Sequence, residues 1–304
     1  MTHERPINLV WRRTMLDGVL ESQFLRQVVL AGIGRPQRWI AVEDGQALPD
    51  MDDLLVCSFG DCGGYLRELR ANGRRNIGVL HLGDEQAADD IAFYAEADYV
   101  LRHYQRPGLT LAGRCRNVIW IPNGWARAVG PAEPDLALAF DARRHEFFFA
   151  GFAGPEGKRL PDRQAMLNAL GTLGRPATVI LTDGFAKGLG PASYGAYLAN
   201  SRFALAPAGN AAETIRFYDA LELGALPVLI DAPWQHDTDG IAALGPPPVI
   251  ALNHWRELAS VADGPYGEEF RQNTTAWWLR FKELTQARVA DVIEDAFART
   301  GGGG

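Results

Sequence analysis

The chain has little cysteine: Cys57, Cys62 and Cys115 are the three among 304 residues. A small and odd number of thiols does not build a disulfide framework and is typical of a reducing compartment. Cys57 and Cys62 have no second close cysteine pair and no matching histidines in the sequence. This excludes a structural zinc site of ordinary ligand spacing.

Long apolar runs are also absent from the sequence. No stretch approaches the roughly 20 apolar residues that span a bilayer as a helix. The N-terminal residues MTHERPINLVWRR lack the apolar core of a signal peptide. We therefore expect a cytoplasmic protein with no transmembrane segment. Peripheral association with a membrane-bound synthesis complex stays open.

The chain lacks an excess of positive charge, since its formal net charge is −7 and its pI is about 5.4. An extended nucleic-acid-binding surface needs a basic stripe, so we expect no nucleic-acid partner. A local basic cluster that binds a small anion is compatible with this total. A hydrophobic content of 47% over 304 residues is enough for one large or two ordinary domains.

Short apolar runs alternate with helical patterns along both halves of the chain. Strand candidates are residues 7–11, 38–42, 53–57, 76–82, 98–102 and 117–122, then 145–152, 177–182, 202–206, 226–230 and 247–252. Helix candidates are residues 20–32, 63–73 and 85–97, then 162–173, 194–200 and 211–223, and one or two helices over 267–300. This alternation predicts an α/β fold with two doubly wound parallel sheets and a cleft between them.

Residues 202–230, RFALAPAGNAAETIRFYDALELGALPVLI, predict a strand, a small-residue loop, a helix and a strand. A loop containing Gly209 that leads into a helix N-terminus suits a phosphate group. Glu213 and Arg216 stand three residues apart, so both can face a ligand bound there. The alternative is a capping box, with Asn210 as the N-cap and Glu213 as the third helical residue.

A second glycine loop follows the predicted strand HEFFFAGF. Its glycines are Gly151, Gly154 and Gly157, and its cations are Lys158, Arg159 and Arg163. Arg159 stands where a nucleotide-hydrolase P-loop requires Ser or Thr, so we exclude that class. Three cations on a glycine loop suit a diphosphate, and a solvated basic loop is the alternative.

His81, Asp84 and Glu85 directly follow the predicted strand IGVL. A carboxylate or an imidazole at a strand end can act as a general base on a hydroxyl nucleophile. The alternative is that Asp84 and Glu85 only favour the start of the next helix. Arg102, at the end of another strand, is a candidate for the cleft or for pairing with surface acids. The acidic pair at 89–90 has no histidine constellation in the sequence, so we expect no metal site.

The segment AGNAAETIRFYDALELGALPVLI closely resembles the C-terminal signature of exostosin-like glycosyltransferases. HEFFFAGFAG with the following KR and R is similar to a donor-contacting segment of the same GT-B superfamily. VLHLGDE and ADYVLRHY resemble its ribitol xylosyltransferase-like branch. The resemblance covers about residues 76–234.

The resemblance implies a GT-B fold of two Rossmann-like domains. Residues 1–135 would form the acceptor-side domain and residues 136–284 the nucleotide-sugar domain. Residues 285–300 would form a helix that packs back on the first domain, and residues 301–304 a flexible glycine tail. It also implies inverting sugar transfer with no required cofactor or metal.

The same resemblance implies roles for individual residues. Glu213 would hold the nucleoside ribose, and Arg216 with Gly209 would hold the diphosphate. Arg159 and Arg163 would help neutralise the leaving group. The expected donor-binding set is Gly151, Lys158, Arg159, Arg163, Gly209, Asn210, Glu213, Thr214 and Arg216.

The sequence therefore predicts a glycosyltransferase that uses a nucleoside diphosphate sugar, with a UDP-sugar such as UDP-xylose favoured. The acceptor would be a glycan or a polyol phosphate. Animal members carry a membrane anchor and lumenal disulfides, which this chain lacks, so we expect a role in bacterial surface polysaccharide synthesis. The alternative is a non-catalytic protein that binds a nucleotide sugar or acts as a scaffold for a synthesis complex.

Overall fold

The computed structural model describes residues 5–109, 113–133, 137–155, 160–184, 187–237 and 239–301. These residues form two compact units. The first unit runs to Pro122 and includes the chain from Lys282 onward, and the second is Asn123–Phe281. Each unit contains a parallel β-sheet with helices, which confirms the predicted fold class.

The first unit contains a sheet of six strands in the order β2-β1-β3-β4-β5-β6. Every neighbouring pair is parallel. The strands are β1 (Ile7–Arg12), β2 (Gln37–Val42), β3 (Leu54–Ser58), β4 (Ile77–His81), β5 (Tyr99–Arg102) and β6 (Asn117–Trp120). Its helices are α1 (Arg13–Gly18), α2 (Ser22–Phe24), which a π-helical turn Leu25–Val29 extends, and α3 (Gly63–Ala71).

Apolar strand residues form the core of the first unit. Val10, Val56, Val79 and Val100 come from four different strands and pack in one buried cluster with Leu66 of α3. Each such side chain contributes roughly 1.5–3 kcal/mol when it is fully buried. The strands predicted from β-branched runs therefore form because parallel strands covered by helices need apolar residues on both faces.

The predicted helix over residues 85–97 is wrong for most of its length. The Asp84 carboxylate accepts hydrogen bonds from the backbone N–H groups of Ala88 (2.8 Å) and Asp89 (3.1 Å). Ala87 takes a positive φ of 52°, which no α-helix allows. This side-chain-to-backbone bonding replaces the helix with a turn. Only the 3₁₀ turn Ala92–Glu96 follows.

The second unit contains a sheet of five parallel strands in the order β11-β10-β9-β7-β8. The strands are β7 (His145–Gly151), β8 (Ala177–Leu181), β9 (Ser201–Leu205), β10 (Leu226–Ile230) and β11 (Ile250–Leu252). The helices are α4 (Pro161–Thr172), α5 (Pro191–Ala199), α6 (Ile215–Glu222), α7 (Trp234–Asp237), α8 (Asp239–Leu244), α9 (Leu258–Ala262) and the long α10 (Glu268–Gly301).

The end of α10 packs within the first unit. Val289, Ile293 and Phe297 are buried there. Arg35 donates to Glu294 at 2.5 Å, and its guanidinium lies 4.1 Å from the centre of the Phe297 ring. The final residues of α10 therefore belong structurally to the unit that begins the chain.

Each sheet has one point at which its strand order reverses. The chain passes from β1 to β2 on one side, and β3 then lies on the other side of β1. In the same way β8 and β9 lie on opposite sides of β7. Crevices outside the carboxyl ends of parallel strands at such switch points are the usual ligand sites of doubly wound folds. The fold therefore indicates two positions, one at β1–β3 and one at β7–β9.

Candidate active site

Arg216 lies in the first turn of α6, beside the carboxyl end of β7. Its Nε donates to the carbonyl of Ala150 at 2.9 Å, and its guanidinium lies 5.3 Å from the centre of the Phe149 ring. Both groups are uncharged, so neither neutralises the arginine. The direct contacts of the guanidinium are thus neutral, which leaves its charge able to attract an anion. Asp219 is an acid close enough for the Arg216 charge to lower its pKa, against the larger effect of burial.

Gly151, the last residue of β7, makes room for this arginine. Its φ is +154°, and a Cβ at this position would lie 2.0 Å from the Arg216 Nη2. Any other residue would displace the guanidinium. The structure therefore brings together two residues that the sequence assigned separately to a donor site.

Arg163 fastens the loop after β9 to the loop after β7. Its Nε donates to the Ala208 carbonyl at 3.2 Å, and its Nη1 donates to the Phe152 carbonyl. A Cβ on Gly209 would lie 2.9 Å from Arg163 Nη2. The neighbouring Asp162 accepts a hydrogen bond from the Ala208 N–H at 2.6 Å. The start of α4 thus fixes the small-residue loop in place.

Four predicted donor-site residues therefore meet at the β7–β9 switch point. They are Gly151, Arg163, Gly209 and Arg216. Asn210 is exposed on the same loop. Lys158 and Arg159, and the glycine at 157, lie outside the described residues.

The predicted start of the α6 helix is wrong. The helix begins at Ile215, not Ala211, and its N-cap is Thr214, whose backbone is extended (φ −131°, ψ 148°). The capping box of Asn210 and Glu213 is therefore also wrong, because both residues precede the helix. Thr214 makes no side-chain capping bond, and within the described chain its buried Oγ1 has no hydrogen-bond partner.

Glu213 is buried and engaged by donors of its own unit. Its Oε1 accepts hydrogen bonds from the Tyr218 hydroxyl at 2.8 Å and from the Asn123 backbone N–H at 3.1 Å. This places the carboxylate directly before α6, where it holds the first residue of the second unit. These contacts fix the Glu213 carboxylate at the start of α6.

Two further acids of the same signature hold the chain that follows Asn123. Asp219 accepts from the Ala126 N–H at 2.8 Å, and Glu222 accepts from the Ala132 N–H at 2.9 Å. These bonds explain why residues 123–133, placed in the first domain from sequence, group with the second unit. Burial raises the pKa of Asp219 to about 7, although its hydrogen bonds oppose the shift.

The candidate residues after β4 form a buried polar cluster with β5. Asp84 receives Arg102 Nη2 at 2.9 Å, and Arg106 Nη1 lies 3.6 Å from the same oxygen. Arg102 also donates to the Tyr94 hydroxyl at 2.9 Å. Hydrogen bonds from Arg102 and from backbone N–H groups hold the pKa of Asp84 below its usual value, against an opposing effect of burial. Arg102 therefore pairs with an acid, but the expectation of a surface acid is wrong, because Asp84 is buried.

His81 belongs to the same cluster and uses both ring nitrogens. Its Nδ1 lies 2.6 Å from the Tyr94 hydroxyl, and its Nε2 lies 3.0 Å from an Asp89 carboxylate oxygen. Burial and the Arg102 charge lower the pKa of His81. Glu85, in contrast, is half-exposed, and no side-chain hydrogen bond or ion pair holds its carboxylate within the described chain.

The expectation that Asp89 has no histidine neighbour is wrong. His81, Asp84 and Asp89 each place one ligand atom within 4.8 Å of the others, as a metal site would require. Arg102 and Arg106 bring two positive charges to Asp84, which compete with a cation. The ring nitrogens of His81 are also already hydrogen-bonded. The cluster thus has suitable ligand types but electrostatics that oppose metal binding.

Sequence reasoning missed two buried polar residues at strand ends. Within the described chain, neither side-chain polar atom of Asn123 and neither ring nitrogen of His103 has a hydrogen-bond partner. Glu21 lies 3.6 Å from His103 Nδ1. Burial, together with His81 and Arg102, lowers the pKa of His103 to about 3. A search of every position directly after a predicted strand would have found both.

Comparison with known proteins supports the predicted family resemblance. Residues 190–298 match the family model of the RXYLT1 C-terminal domain. No curated protein matches the chain in sequence. Sucrose-phosphate synthase from Thermosynechococcus elongatus has a similar structure, with a TM-score of 0.54 at 12% identity, covering 97% of this chain and 100% of that one.

These comparisons confirm an RXYLT1-like sequence signature and a GT-B fold. The family match and the fold together support a glycosyltransferase. In the part of the chain that the structure describes, no helix is both long and apolar enough to span a membrane.

Proposed function

We propose that this chain is an inverting glycosyltransferase that takes a sugar from a nucleoside diphosphate and transfers it to a hydroxyl group. The donor would be a UDP-sugar such as UDP-xylose, and the acceptor a glycan or polyol phosphate of a bacterial surface polysaccharide made in the cytoplasm. The observation that carries the proposal is the pair Arg163 and Arg216 beside Gly151 and Gly209 at the β7–β9 switch point.

The chemistry of this arrangement is leaving-group stabilisation. When the bond between the anomeric carbon and the β-phosphate oxygen breaks, negative charge develops on the diphosphate. A guanidinium that is already oriented by neutral carbonyl groups can stabilise this charge without reorganisation. Arg216 would then do what a divalent cation does in metal-dependent transferases, so we propose that transfer requires no metal or other cofactor.

The proposed general base is Glu85. It would take the proton from the acceptor hydroxyl while the oxygen attacks the anomeric carbon. Asp84 is a weaker base because Arg102 and Arg106 stabilise its charged form. His81 has both nitrogens in hydrogen bonds, so neither is free to receive a proton. Glu213, engaged by Tyr218 and Asn123, is assigned a positioning role in place of the ribose contact.

The pH dependence of turnover tests the choice of base. In Glu85→Gln, kcat should fall by about 100-fold or more, and the acidic limb of the pH profile should disappear. Asp84→Asn should keep that limb. Loss of the limb in Asp84→Asn or His81→Gln, with Glu85→Gln unaffected, would move the assignment to that residue.

The function itself is tested by nucleoside diphosphate release. The chain is incubated with UDP-xylose, UDP-glucose or GDP-mannose and with glycan or alditol-phosphate acceptors, in the presence of EDTA. Release that depends on both donor and acceptor supports the proposal. A rise of the melting temperature with UDP but no turnover would indicate a nucleotide-sugar-binding protein, and no effect of any nucleotide would indicate a scaffold.

A further inference from the structure

A cavity of about 320 Å³ lies in the first unit at the carboxyl ends of β1 and β3. Val10 and Arg12 line it from β1, Val56 and Ser58 from β3, and Gly64 from the start of α3. Because β1 and β3 are the neighbours between which the strand order reverses, the cavity occupies the switch point of the first sheet. This is the position at which doubly wound sheets bind ligands.

Part of the cavity lining is apolar. Val10, Leu48 and Val56 contribute aliphatic walls. Tyr65 contributes its ring, and its hydroxyl donates to the Pro49 carbonyl at 2.5 Å, which fixes the ring in place. An aromatic ring beside aliphatic groups can pack against the C–H face of a carbohydrate or polyol.

The lining also carries one positive and one negative group. Arg12 Nη1 donates to the carbonyls of Glu43 (3.1 Å) and Gln46 (2.7 Å), and Asp61 Oδ1 accepts the Gly63 N–H at 2.7 Å. Among the described residues, neither Arg12 nor Asp61 forms an ion pair with the other or with a third group. Their remaining polar atoms are therefore available to a ligand.

This charge balance indicates the class of ligand. Asp61 occupies the N-terminus of α3 and so repels a phosphate or carboxylate that would bind there. Arg12 repels a cation in the same way. Hydroxyl groups can accept from a guanidinium and donate to a carboxylate at once, so a neutral ligand with several hydroxyls satisfies both. A volume near the lower end of the small-molecule range suits one monosaccharide or alditol unit.

We propose that this cavity binds one neutral, polyhydroxylated unit, which Arg12 and Asp61 hold by its hydroxyls and Tyr65 by its C–H face. The resemblance implies that residues 1–135 form the acceptor-side domain, but it includes no motif in the first 75 residues and assigns no role to Arg12, Asp61 or Tyr65. Its use in catalysis rests on the proposed function: the bound unit would be the part of the acceptor that receives the sugar.

Gly64 and Gly171 offer a matched pair of variants for testing the site. Both are helical glycines at which an added Cβ meets no atom within 4 Å, so leucine should fold at either position. Gly64 lines the cavity, whereas Gly171 lies in α4 of the second unit. Gly64→Leu should fill the mouth of the cavity, and Gly171→Leu is the control.

Saturation-transfer NMR with methyl β-D-galactopyranoside, methyl β-D-xylopyranoside and ribitol provides a direct binding readout. We expect transfer to at least one probe in the wild type and in Gly171→Leu. In Gly64→Leu the transfer signal should be lost. In Arg12→Gln and Asp61→Asn, the affinity for the probe, taken from the signal as a function of probe concentration, should fall by about tenfold. UDP binding should stay unchanged in all four variants.

Absence of transfer to every probe, or equal transfer in Gly64→Leu and wild type, would overturn the site. A second outcome is that the wild type binds a probe that Gly64→Leu no longer binds, while no nucleotide is released with any donor and acceptor. That result would support the site and reject the proposed glycosyltransferase. If turnover is present, Gly64→Leu should raise the KM for the acceptor by about tenfold and leave the KM for the donor unchanged. An unchanged KM for the acceptor would show that the cavity does not bind the acceptor during the reaction.

Discussion

The two sheets of this chain share one topology but differ in the chemistry of their switch points. At β7–β9 the charged groups are two cations, Arg163 and Arg216, which donate to backbone carbonyls, and one acid, Asp162. The Asp162 carboxylate accepts from the Ala208 N–H and from the Trp255 Nε1, so the cations are in excess. At β1–β3 the charged groups are Arg12 and Asp61, which are of opposite sign. The first arrangement suits a diphosphate, and the second suits a neutral hydroxylated group.

The comparison shows that topology selects the place and side chains select the ligand. The buried cluster after β4 and β5 shows that polar side chains at strand ends are not enough to make a binding site. Its polar groups are satisfied within the cluster: Arg102 donates to Asp84, and His81 is hydrogen-bonded to Tyr94 and Asp89. Groups at a strand end become candidates for binding only when their internal partners leave charge or hydrogen-bonding capacity unused.

Among the variants that test this comparison, Arg216→Gln should have the largest effect on activity. Loss of the guanidinium should lower kcat/KM for the donor by about 1,000-fold, or about 4 kcal/mol, because the stabilised charge exists mainly in the transition state. Arg202→Gln is the matched control. Arg202 donates to the Asp141 carbonyl at 3.3 Å and lies 5.6 Å from the Phe140 ring, at the amino end of β9. Equal losses in both variants would remove the special role of Arg216.

The pH dependence of stability should have opposite signs for one buried group in each unit, Asp219 in the second and His103 in the first. Asp219 has a folded pKa of about 7 against 3.8 for the ordinary group, so its fold-stabilising contribution is present below pH 4 and is lost as the pH rises towards 7. Asp219→Asn should therefore become more stable relative to wild type as the pH rises across this window. The difference in unfolding free energy should reach up to about 4 kcal/mol, and the melting temperature measured as a function of pH should show it.

His103 should show the opposite trend. Its folded pKa of about 3 lies below the ordinary 6.5, so its contribution is present above pH 6.5 and is lost as the pH falls towards 3. His103→Leu should gain stability relative to wild type on acidification. Parallel pH curves for wild type and both variants would show that neither group titrates in the way its burial predicts.

A smaller effect is expected from Gly151→Ala. The added Cβ would lie 2.0 Å from Arg216 Nη2, so the guanidinium must move and nucleotide affinity should fall by about tenfold. When Gly151→Ala is added to Arg216→Gln, the further loss of UDP affinity should be much smaller, because the glutamine side chain is shorter than the arginine it replaces. The four proteins compared are the wild type, the two single variants and the double variant. Calorimetric titration of UDP into the four proteins measures this coupling, and strictly additive losses would contradict it.

The sequence predicts each strand of both sheets because the strands are short runs rich in aliphatic, β-branched and aromatic residues. This holds even for the edge strands β2 and β8, which are only partly buried. It fails where one polar side chain redirects the backbone, as Asp84 does in replacing the predicted helix at 85–97. The start of α6 was misplaced for a related reason, since Thr214 and not Asn210 takes the extended N-cap conformation. Local propensity does not determine such choices.

The candidate sites were predictable to different extents. The β7–β9 residues could be found because Gly151, Arg163, Gly209 and Arg216 lie in two recognisable loops. Their mutual contacts depend on strand pairing and could not be derived. The β1–β3 cavity was missed because Arg12 and Asp61 come from separate strand ends in a part of the chain without a motif.

The most direct test of the central claim is a crystal structure of the chain with bound UDP. The account predicts that diphosphate oxygens lie within hydrogen-bond distance of the Arg216 guanidinium, beside Gly151 and Gly209 at the β7–β9 switch point. A diphosphate bound at the β1–β3 cavity, or at the β4–β5 cluster, would contradict it.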